Sequence, residues 1–178
     1  MTDEIRARMV AVLPRLRRFA YALTGSTELG DDLVQETCLR ALSRVERWQP
    51  GSRLDSWMYR IAQNIWLDRM RANKVRGEVV DVEAVAALPG SDGRDVTDSQ
   101  LTLKAVDAAL DQLPAEQRAV IALVCIEGVS YKEAAEITGV PMGTIMSRLA
   151  RARQALHAIL DQPAPARTPR VVASKTGS

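Results

Sequence analysis

The stretch Ser130–Arg153, SYKEAAEITGVPMGTIMSRLARAR, decides the fold of the C-terminal half of the chain. Ser130 and Glu133 are spaced as in a capping box, which predicts that a helix begins just after Ser130. Gly139 predicts where that helix ends, because glycine tolerates the left-handed conformation that closes many helices. Pro141 fits the first turn of a second helix, where its missing N–H costs nothing. Two helices joined by so tight a turn are typical of a DNA-binding helix-turn-helix.

The second helix of this pair has a packing face and a basic face. Apolar residues recur at helical spacing along one side, namely Ile145, Leu149, Ala152, Leu156 and Ile159. Another side carries Thr144, Ser147, Arg148 and Arg151, and no acidic residue occurs in this helix. Arginine can pair bidentately with guanine in the major groove, and hydroxyls can bind phosphate or a base edge. The pattern therefore predicts a DNA-reading face, and the simpler alternative is a basic face in contact with solvent.

Charge is unevenly distributed along the chain, although the formal net charge of all 178 residues is only +2. Residues 1–77 contain 14 basic and 9 acidic residues, whereas residues 78–98 contain one Arg and six acidic residues. This acidic strip predicts a flexible linker between one domain over 1–77 and another over 99–162. The Pro-, Ala- and Arg-containing stretch 163–178 predicts a disordered tail.

Helical periodicity extends over most of the remaining sequence, and no convincing β-alternation interrupts it. It predicts helices over 4–23, with Pro14 interrupting or kinking the first, over 28–47 and over 99–112. The capping-box pattern Ser52-Arg53-Leu54-Asp55 predicts a further helix from just after Ser52 to about Lys74. The predicted fold class is all-α, with two small helical domains joined by an acidic flexible linker and a helix-turn-helix in the second.

The composition argues against most enzyme classes. Cys38 and Cys125 lie in apolar helical stripes of different domains, which predicts reduced core thiols and neither a disulfide nor a metal site. The chain has a single His and no Gly-rich phosphate loop, so we expect no metal, no cofactor, no small-molecule substrate and no enzymatic activity. No signal-like or 18-residue apolar run is present, which predicts a soluble, cytoplasmic protein without membrane insertion.

Three segments together resemble one known family. LTGSTELGDDLVQETCLRAL (23–42), WQPGSRLDSWMYRIAQNIWLDRMR (48–71) and the helix-turn-helix region beginning LPAEQR (113–118) resemble bacterial extracytoplasmic-function (ECF) sigma factors, in the same order and spacing. These are the minimal, two-domain members of the sigma-70 family, and the resemblance covers about residues 10–160. It implies a specificity subunit of RNA polymerase whose domain 2 melts and reads the −10 promoter element and whose domain 4 reads the −35 element. It also implies as partners core RNA polymerase (the β′ clamp coiled coil and the β flap), promoter DNA and an anti-sigma factor.

The resemblance assigns a role to the polar stripe on the helix over 28–47. The D-L-V-Q-E segment matches the family's contact with the β′ clamp coiled coil, which implies binding of core polymerase by Asp32, Gln35, Glu36, Leu39 and Arg40. A polar helix docking on a coiled coil would gain from paired charges and from burial of Leu39. Taken alone, the same stripe would be an ordinary solvated helix face.

The segment 48–71 resembles the element that captures single-stranded −10 DNA. Its candidate contacts share one helix face and the loop before it: Arg53, Arg60, Asn64, Asp68 and Arg71. Such recognition requires cations along the backbone and a group such as the Asn64 amide that can read an exposed base edge. Trp57, Ile61 and Ile65 are spaced as core residues, whereas for Tyr59 and Trp66 packing and base stacking both remain open.

The helix-turn-helix is the expected reader of the −35 element. Ser147, Arg148 and Arg151 are the candidate base-reading residues, with Thr144 and Lys132 as phosphate anchors. The family often has a basic residue where this chain has Met146. This departure puts one contact in doubt and could shift the preference towards a thymine methyl group.

Two other functions remain possible. A stand-alone helix-turn-helix regulator would explain 113–160 but leave 24–74 without a role, and the sequence offers no spare apolar helix for a dimer interface. A sigma-like inhibitor or adaptor would bind polymerase without initiating transcription. For the acidic linker, mimicry of nucleic-acid charge inside the polymerase and a plain solvated tether are equally open.

Overall fold

The N-terminal half of the protein folds as three long helices. The computed structural model describes residues 3–77 and 98–162, with side chains of 98–102 left undescribed. Helix α1 spans Asp3–Thr24, α2 spans Thr27–Ser43 and α3 spans Leu54–Arg76, with a 3-10 turn at Val45–Arg47. The Ser26 hydroxyl caps α2 by accepting from the N–H of Leu29, and Gly77 ends α3 in the left-handed conformation.

The C-terminal half contains four α-helices and a π-helical turn. Helix α4 spans Asp98–Asp111, α5 spans Ala115–Ile121, α6 spans Tyr131–Thr138 and α7 spans Met142–Leu160. The π turn, Ala122–Ile126, directly follows α5. The fold of the described ranges is thus all-helical, with two helical domains, as the sequence predicts; the predicted linker and tail lie outside these ranges apart from Asp98.

The two domains pack directly against each other. Helix α3 contacts α5 and α6, and α1 contacts α4, α5 and the π turn. Buried apolar side chains of both halves form one cluster, which includes Phe19, Leu23 and Met58 of the first domain and Leu123 and Ile137 of the second. Burial of apolar surface on both sides therefore contributes to the contact between the two domains.

The helices differ from the prediction at three places. Helix α1 continues through Pro14, so the predicted interruption there is wrong. Proline has no N–H to donate to the carbonyl oxygen of Val10, but Val10 is exposed, so water can hydrogen-bond this oxygen instead. Helix α2 ends at Ser43 and not at 47, because the chain turns into the 3-10 segment. Pro141 is the N-cap of α7, one residue before the helix.

The second capping-box prediction is also wrong. The N-cap of α3 is Arg53, and the Ser52 hydroxyl donates to the carbonyl oxygen of Gln49 at 2.7 Å and does not cap the helix. Ser52 thus closes the preceding turn. In α6, by contrast, the Ser130 hydroxyl accepts from the N–H of Glu133 as predicted.

Burial corrects two further expectations. Both cysteines are free, but Cys125 is exposed and Cys38 only half-buried, so neither is a fully buried core thiol. The π turn changes the helical register around 122–126, which carries Cys125 off the packing face. Within the described ranges, no helix is both long enough and apolar enough to cross a membrane.

Candidate nucleic-acid interface

Helix α7 presents its basic residues outward, as the predicted −35 reader requires. Ile145, Leu149 and Ala152 are buried against α5 and α6, which fixes the orientation of the helix. Ser147 and Arg151 are exposed, and Thr144 and Arg148 are half-buried on the same side. No carboxylate of the described residues pairs with Arg148 or Arg151, so both guanidinium groups are available to an anion.

The start of α7 adds to this basic surface. Pro141 caps α7 without a side-chain hydrogen bond, so the first N–H groups of the helix are free of a capping side chain. Lys132 is exposed on α6, whereas the Ser147 hydroxyl donates to the carbonyl oxygen of Thr144 at 3.1 Å. Met146, the departure from the family pattern, is 51% exposed and is therefore placed to contact a ligand.

The candidate −10 residues form an exposed face on α3. Arg60, Asn64, Asp68 and Arg71 are all exposed. Asp68 and Arg71 pair with each other at 3.3 Å, and the Asn64 side-chain oxygen accepts from Gln63 at 3.2 Å. The helix periodicity therefore brings these four residues onto one surface.

The aromatic residues of this segment belong to the packing. Tyr59 and Trp66 are buried, which decides between the two roles left open for them: in this structure neither ring is free to stack on a base. Trp57 and Ile61 are half-buried and Ile65 is buried. Stacking of the Tyr59 or Trp66 ring on a base would therefore require a rearranged state.

The stripe on α2 is divided into a free part and a paired part. Asp32, Gln35 and Leu39 are exposed, and Leu39 shows 68% of its surface. The Glu36 carboxylate instead accepts from Arg40 at 2.6 Å and also from Arg69 of α3. The stripe therefore offers an apolar side chain beside a preformed charge pair.

The two arginines control the ionisation of Glu36. Partial burial alone would raise the pKa of this carboxyl, but the hydrogen bonds and charges of Arg69 and Arg40 hold its pKa below the ordinary value. Arg69 was not predicted as part of this site. It lies 33 residues away in the sequence, and only the packing of α3 on α2 brings it near.

A buried carboxylate lies at the contact between the domains, and the sequence did not predict it. Glu127 follows the π turn, and its carboxylate is 0% exposed. Arg18 donates to both of its oxygens at 2.8 and 3.0 Å, Tyr59 donates its hydroxyl at 2.8 Å, and the Arg15 Nε lies 3.4 Å away. We call these four residues the Glu127 cluster.

The cluster changes the ionisation of its members. The hydrogen bond and charge of Glu127 raise the pKa of Arg18. Burial, together with the hydrogen bond to Glu127, raises the pKa of the Tyr59 hydroxyl, which therefore stays protonated and acts as a donor. A buried carboxylate is thus balanced by charges that belong to the other domain.

A second polar contact joins the candidate −10 and −35 surfaces. Arg53 Nη1 donates to the Glu133 carboxylate at 2.8 Å, and the Ser56 hydroxyl also donates to Glu133. Nearby, the buried Gln63 amide donates to the carbonyl oxygen of Ile137 at 3.2 Å. Arg53, Ser56 and Glu133 border a cleft of about 670 Å³ that is also lined by Arg60 and Lys132.

A third polar contact also joins the two domains. Arg118 of α5 is buried and donates to the carbonyl oxygen of Ala22 at 2.7 Å and to Asp111 at 2.6 Å. Ala22 lies in the last turn of α1, where unpaired carbonyl groups favour a cation. Tyr21 adds a hydrogen bond to Asp107 at 3.2 Å.

Comparison with protein families finds two models along the chain. The model "Sigma-70 region 2" matches residues 9–76, and the model "Sigma-70, region 4" matches residues 103–156. The two matches lie on the two helical domains, one on each. The described candidate residues all fall inside them.

Similar curated proteins include the ECF RNA polymerase sigma factor EcfG of Rhodopseudomonas palustris. It is 40% identical over 160 residues, which cover 90% of this chain and 87% of that protein. The ECF RNA polymerase sigma factor SigE of Mycolicibacterium smegmatis is 39% identical over 146 residues, covering 80% of this chain and 56% of SigE.

Solved structures show the same architecture. The sigma factor RpoE from Bartonella quintana, in complex with the anti-sigma factor NepR, is similar with a TM-score of 0.71 and 34% identity, covering 92% of this chain and 100% of that chain. CnrH, in complex with the cytosolic domain of CnrY, is similar with a TM-score of 0.63 and 26% identity, covering 91% of this chain and 88% of CnrH.

Proposed function

Because this chain belongs to the ECF group of the sigma-70 family, we propose that it binds core RNA polymerase and directs promoter-specific transcription initiation. One observation carries the proposal: the two family regions that read DNA occur on one chain, and each exposes its candidate residues on a single face. A specificity factor needs both readers, because neither small surface alone binds DNA strongly.

For the promoter, we propose two contacts of different kinds. Ser147, Arg148 and Arg151 read the −35 duplex, with Lys132 and Thr144 on phosphates; the free guanidinium groups of α7 support this. Arg60, Asn64, Asp68 and Arg71, with Arg53 in the loop before α3, bind the melted −10 strand. Their shared exposure supports this assignment, although Arg53 must first exchange Glu133 for DNA.

For the polymerase, we propose that the exposed part of the α2 stripe docks on the β′ clamp coiled coil. Leu39 supplies the apolar contact, Asp32 and Gln35 supply polar contacts, and the Glu36–Arg40 pair completes the surface. The domain bearing α7 would contact the β flap. An exposed leucine beside charged groups fits a contact that is apolar at its centre and polar at its rim.

We further propose that an anti-sigma factor regulates this protein. The support is the similarity to RpoE, which was solved with the anti-sigma factor NepR. The proposed domain limits are 1–77 and 99–162, with a linker over 78–98 and a tail over 163–178. As a transcription factor acting on chromosomal promoters, the protein would work in the cytoplasm and catalyse no reaction itself.

The test is run-off transcription with purified full-length protein and sigma-free core polymerase on genomic fragments of its own organism. We expect discrete transcripts whose start sites define both promoter elements. Core binding without transcripts would instead indicate an inhibitor, and duplex binding without core binding would indicate a stand-alone regulator. Arg151→Lys, which keeps the positive charge but not the guanidinium group, serves as the control for the contact with DNA.

A further inference from the structure

The domain interface is built around charges that each domain would expose to water if the two separated. The Glu127 carboxylate belongs to the C-terminal domain, yet its side-chain partners, Arg15, Arg18 and Tyr59, all belong to the N-terminal domain. Even with the domains in contact, the side chain of Arg18 is 55% exposed and that of Arg15 is 39% exposed. Separation would hydrate every member of the Glu127 cluster, so the contact can open without leaving a buried charge unpaired.

The rest of the interface also contains polar groups that could form hydrogen bonds with water if the domains separated. The buried side-chain oxygen of Gln63 has no hydrogen-bond partner among the described residues, although its amide nitrogen reaches Ile137. A buried acceptor without a partner costs free energy that is regained when water reaches it. The interface thus combines the shared apolar cluster with polar pairs, and polar pairs of this kind are typical of contacts that form and separate.

The closed arrangement brings together surfaces that a promoter would hold far apart. Arg53 of the proposed −10 surface lies 2.8 Å from Glu133, which is adjacent to Lys132 of the proposed −35 surface. Elements centred near −35 and −10 are separated by about 85 Å of duplex at 3.4 Å per base pair. One molecule therefore cannot keep this interface and bind both elements.

The chain is long enough to permit separation. Twenty residues connect the last described residue of the first domain to the first of the second. At about 3.5 Å per residue, such a segment can span roughly 70 Å when extended. The dimensions of the two domains add to this reach.

We propose that the Glu127 cluster is an intramolecular latch that holds the free protein closed, and that opening of this latch is required before both promoter elements can be bound. The conformational part of this proposal stands on the interface itself, whereas its consequence for promoters rests on the proposed function. The latch lowers the apparent DNA affinity of the free protein by the fraction of molecules that are open.

The test is a distance measurement on the full-length protein. Spin labels are placed at Arg47→Cys and Ala158→Cys, two exposed positions in different domains, after Cys38→Ala and Cys125→Ser. We expect one short distance in the parent. Arg18→Glu, which places a negative charge against buried Glu127, is expected to give a longer distance in most molecules.

Arg17→Glu is the matched control. Arg17 is 60% exposed on the same helix, but it pairs with Asp31 inside the N-terminal domain at 3.0 Å. It makes the same charge change as Arg18→Glu, so it separates loss of the latch from a general effect of charge or folding. We expect the control to keep the parent's distance, and Glu127→Gln to lengthen it.

A second measurement connects the latch to DNA. We expect the Arg18→Glu protein to bind −35 duplex at least threefold more tightly than Arg17→Glu, since more molecules are open. An unchanged distance in both Arg18→Glu and Glu127→Gln would overturn the latch, and so would a long distance in the parent. A lengthened distance without any DNA or polymerase binding would leave the latch standing and contradict the proposed function.

Discussion

The guanidinium of Arg53 and the carboxylate of Glu133 form an ion pair at 2.8 Å across 80 residues of sequence. The same carboxylate accepts from Ser56, and Arg53 also pairs with Asp55 at 2.7 Å. Hydrogen bonding and charge from Asp55 and Glu133 raise the pKa of Arg53 despite partial burial. A residue proposed to bind single-stranded DNA is thus already bound by the other domain.

The first prediction concerns this competition. Glu133→Gln should increase the affinity of the free protein for single-stranded −10 DNA, because Arg53 loses a competing anion. An ion pair of this exposure is worth roughly 0.2–1 kcal/mol, which corresponds to an increase of up to about fivefold. Fluorescence anisotropy with a labelled oligonucleotide measures it. Glu136→Gln is the control, because Glu136 is exposed in the same cleft; equal effects of the two variants would argue for general charge alone.

The second prediction concerns reading of the −35 element. Arg151→Ala should weaken binding of the preferred duplex by about 1–3 kcal/mol. The variant should then no longer discriminate among bases at the position that Arg151 contacts. Arg153→Ala removes the same charge from another side of α7, where its guanidinium lies 4.0 Å from the Cys125 sulfur. It should weaken binding to all duplexes about equally. Measuring affinities for a panel of −35 variants separates the two, and an Arg151→Ala protein with the parent's sequence preference would refute the placement.

Helix periodicity predicted the local arrangement of both candidate DNA surfaces. Residues such as Arg60 and Asn64 share a face because they are four positions apart on a helix, and Ser130 caps α6 because the sequence pattern places its hydroxyl there. These relationships depend on neighbours within a few residues. They are therefore independent of how distant segments of the chain pack.

Pairing between distant segments could not be predicted in this way. Glu133 had the spacing of a reciprocal capping box, but its carboxylate binds Arg53 and Ser56 of the other domain. Glu127 sits in an ordinary apolar stretch, and nothing around it identifies Arg15 and Arg18 as partners. The π turn before Glu127 also breaks the simple helical period, and Cys125, which that period places on the packing face, is exposed.

The third prediction concerns binding of core polymerase. Glu36→Lys should weaken core binding, because it breaks the charge pair beside Leu39 and places three cations together with Arg40 and Arg69. The sequence alone predicts that this variant keeps its fold. The structure adds that crowding of the three cations should lower its stability, so Glu36→Gln is included as a milder variant. Glu28→Lys in the first turn of α2 is the exposed control. Native gel shift with core polymerase measures binding, and normal binding by folded Glu36→Lys protein would refute the assignment.

The fourth prediction is a dependence of stability on acid. Burial would raise the pKa of Asp55, but hydrogen bonds from Arg53 and the Ser56 N–H, with the charges of Arg53 and Arg15, lower its pKa below the ordinary value. Because the folded-state pKa is the lower one, Asp55 stabilises the protein above its unfolded pKa of about 3.9, and this contribution is lost as pH falls through the folded pKa. Asp55→Asn should therefore lower the free energy of unfolding at pH 7. On acidification, the variant should lose less of this free energy than the parent does.

Urea unfolding of the parent and Asp55→Asn between pH 7 and pH 2 measures this dependence. Asp68→Asn is the control, because Asp68 is 68% exposed and pairs only with exposed Arg71 among the described residues. Its stability profile should follow that of the parent. Parallel profiles for Asp55→Asn and the parent would show that the Asp55 contacts do not contribute through charge.

The fifth prediction concerns Gly25, which joins α1 to α2 beneath the C-terminal domain. Gly25 has φ +69°, and a Cβ there would lie 2.6 Å from Asp111 Oδ1 and 3.1 Å from Arg118 Nη2. Gly77 has a similar φ of +67° but open space around it. Both alanine variants should lose about 1–2 kcal/mol from backbone strain. Gly25→Ala should lose more, because its Cβ also displaces the Asp111–Arg118 pair.

A double-mutant cycle assigns this excess to the domain contact. In an Asp111→Ala background the closest atom is gone, so the difference between Gly25→Ala and Gly77→Ala should shrink. Urea unfolding of the four Gly25 and Asp111 combinations gives the coupling free energy. Equal costs for both glycines in the parent background would mean that the C-terminal domain does not press on Gly25 in solution. Arg118 would then pack against the end of α1 loosely enough to accommodate an added methyl group at Gly25 without an extra loss of stability.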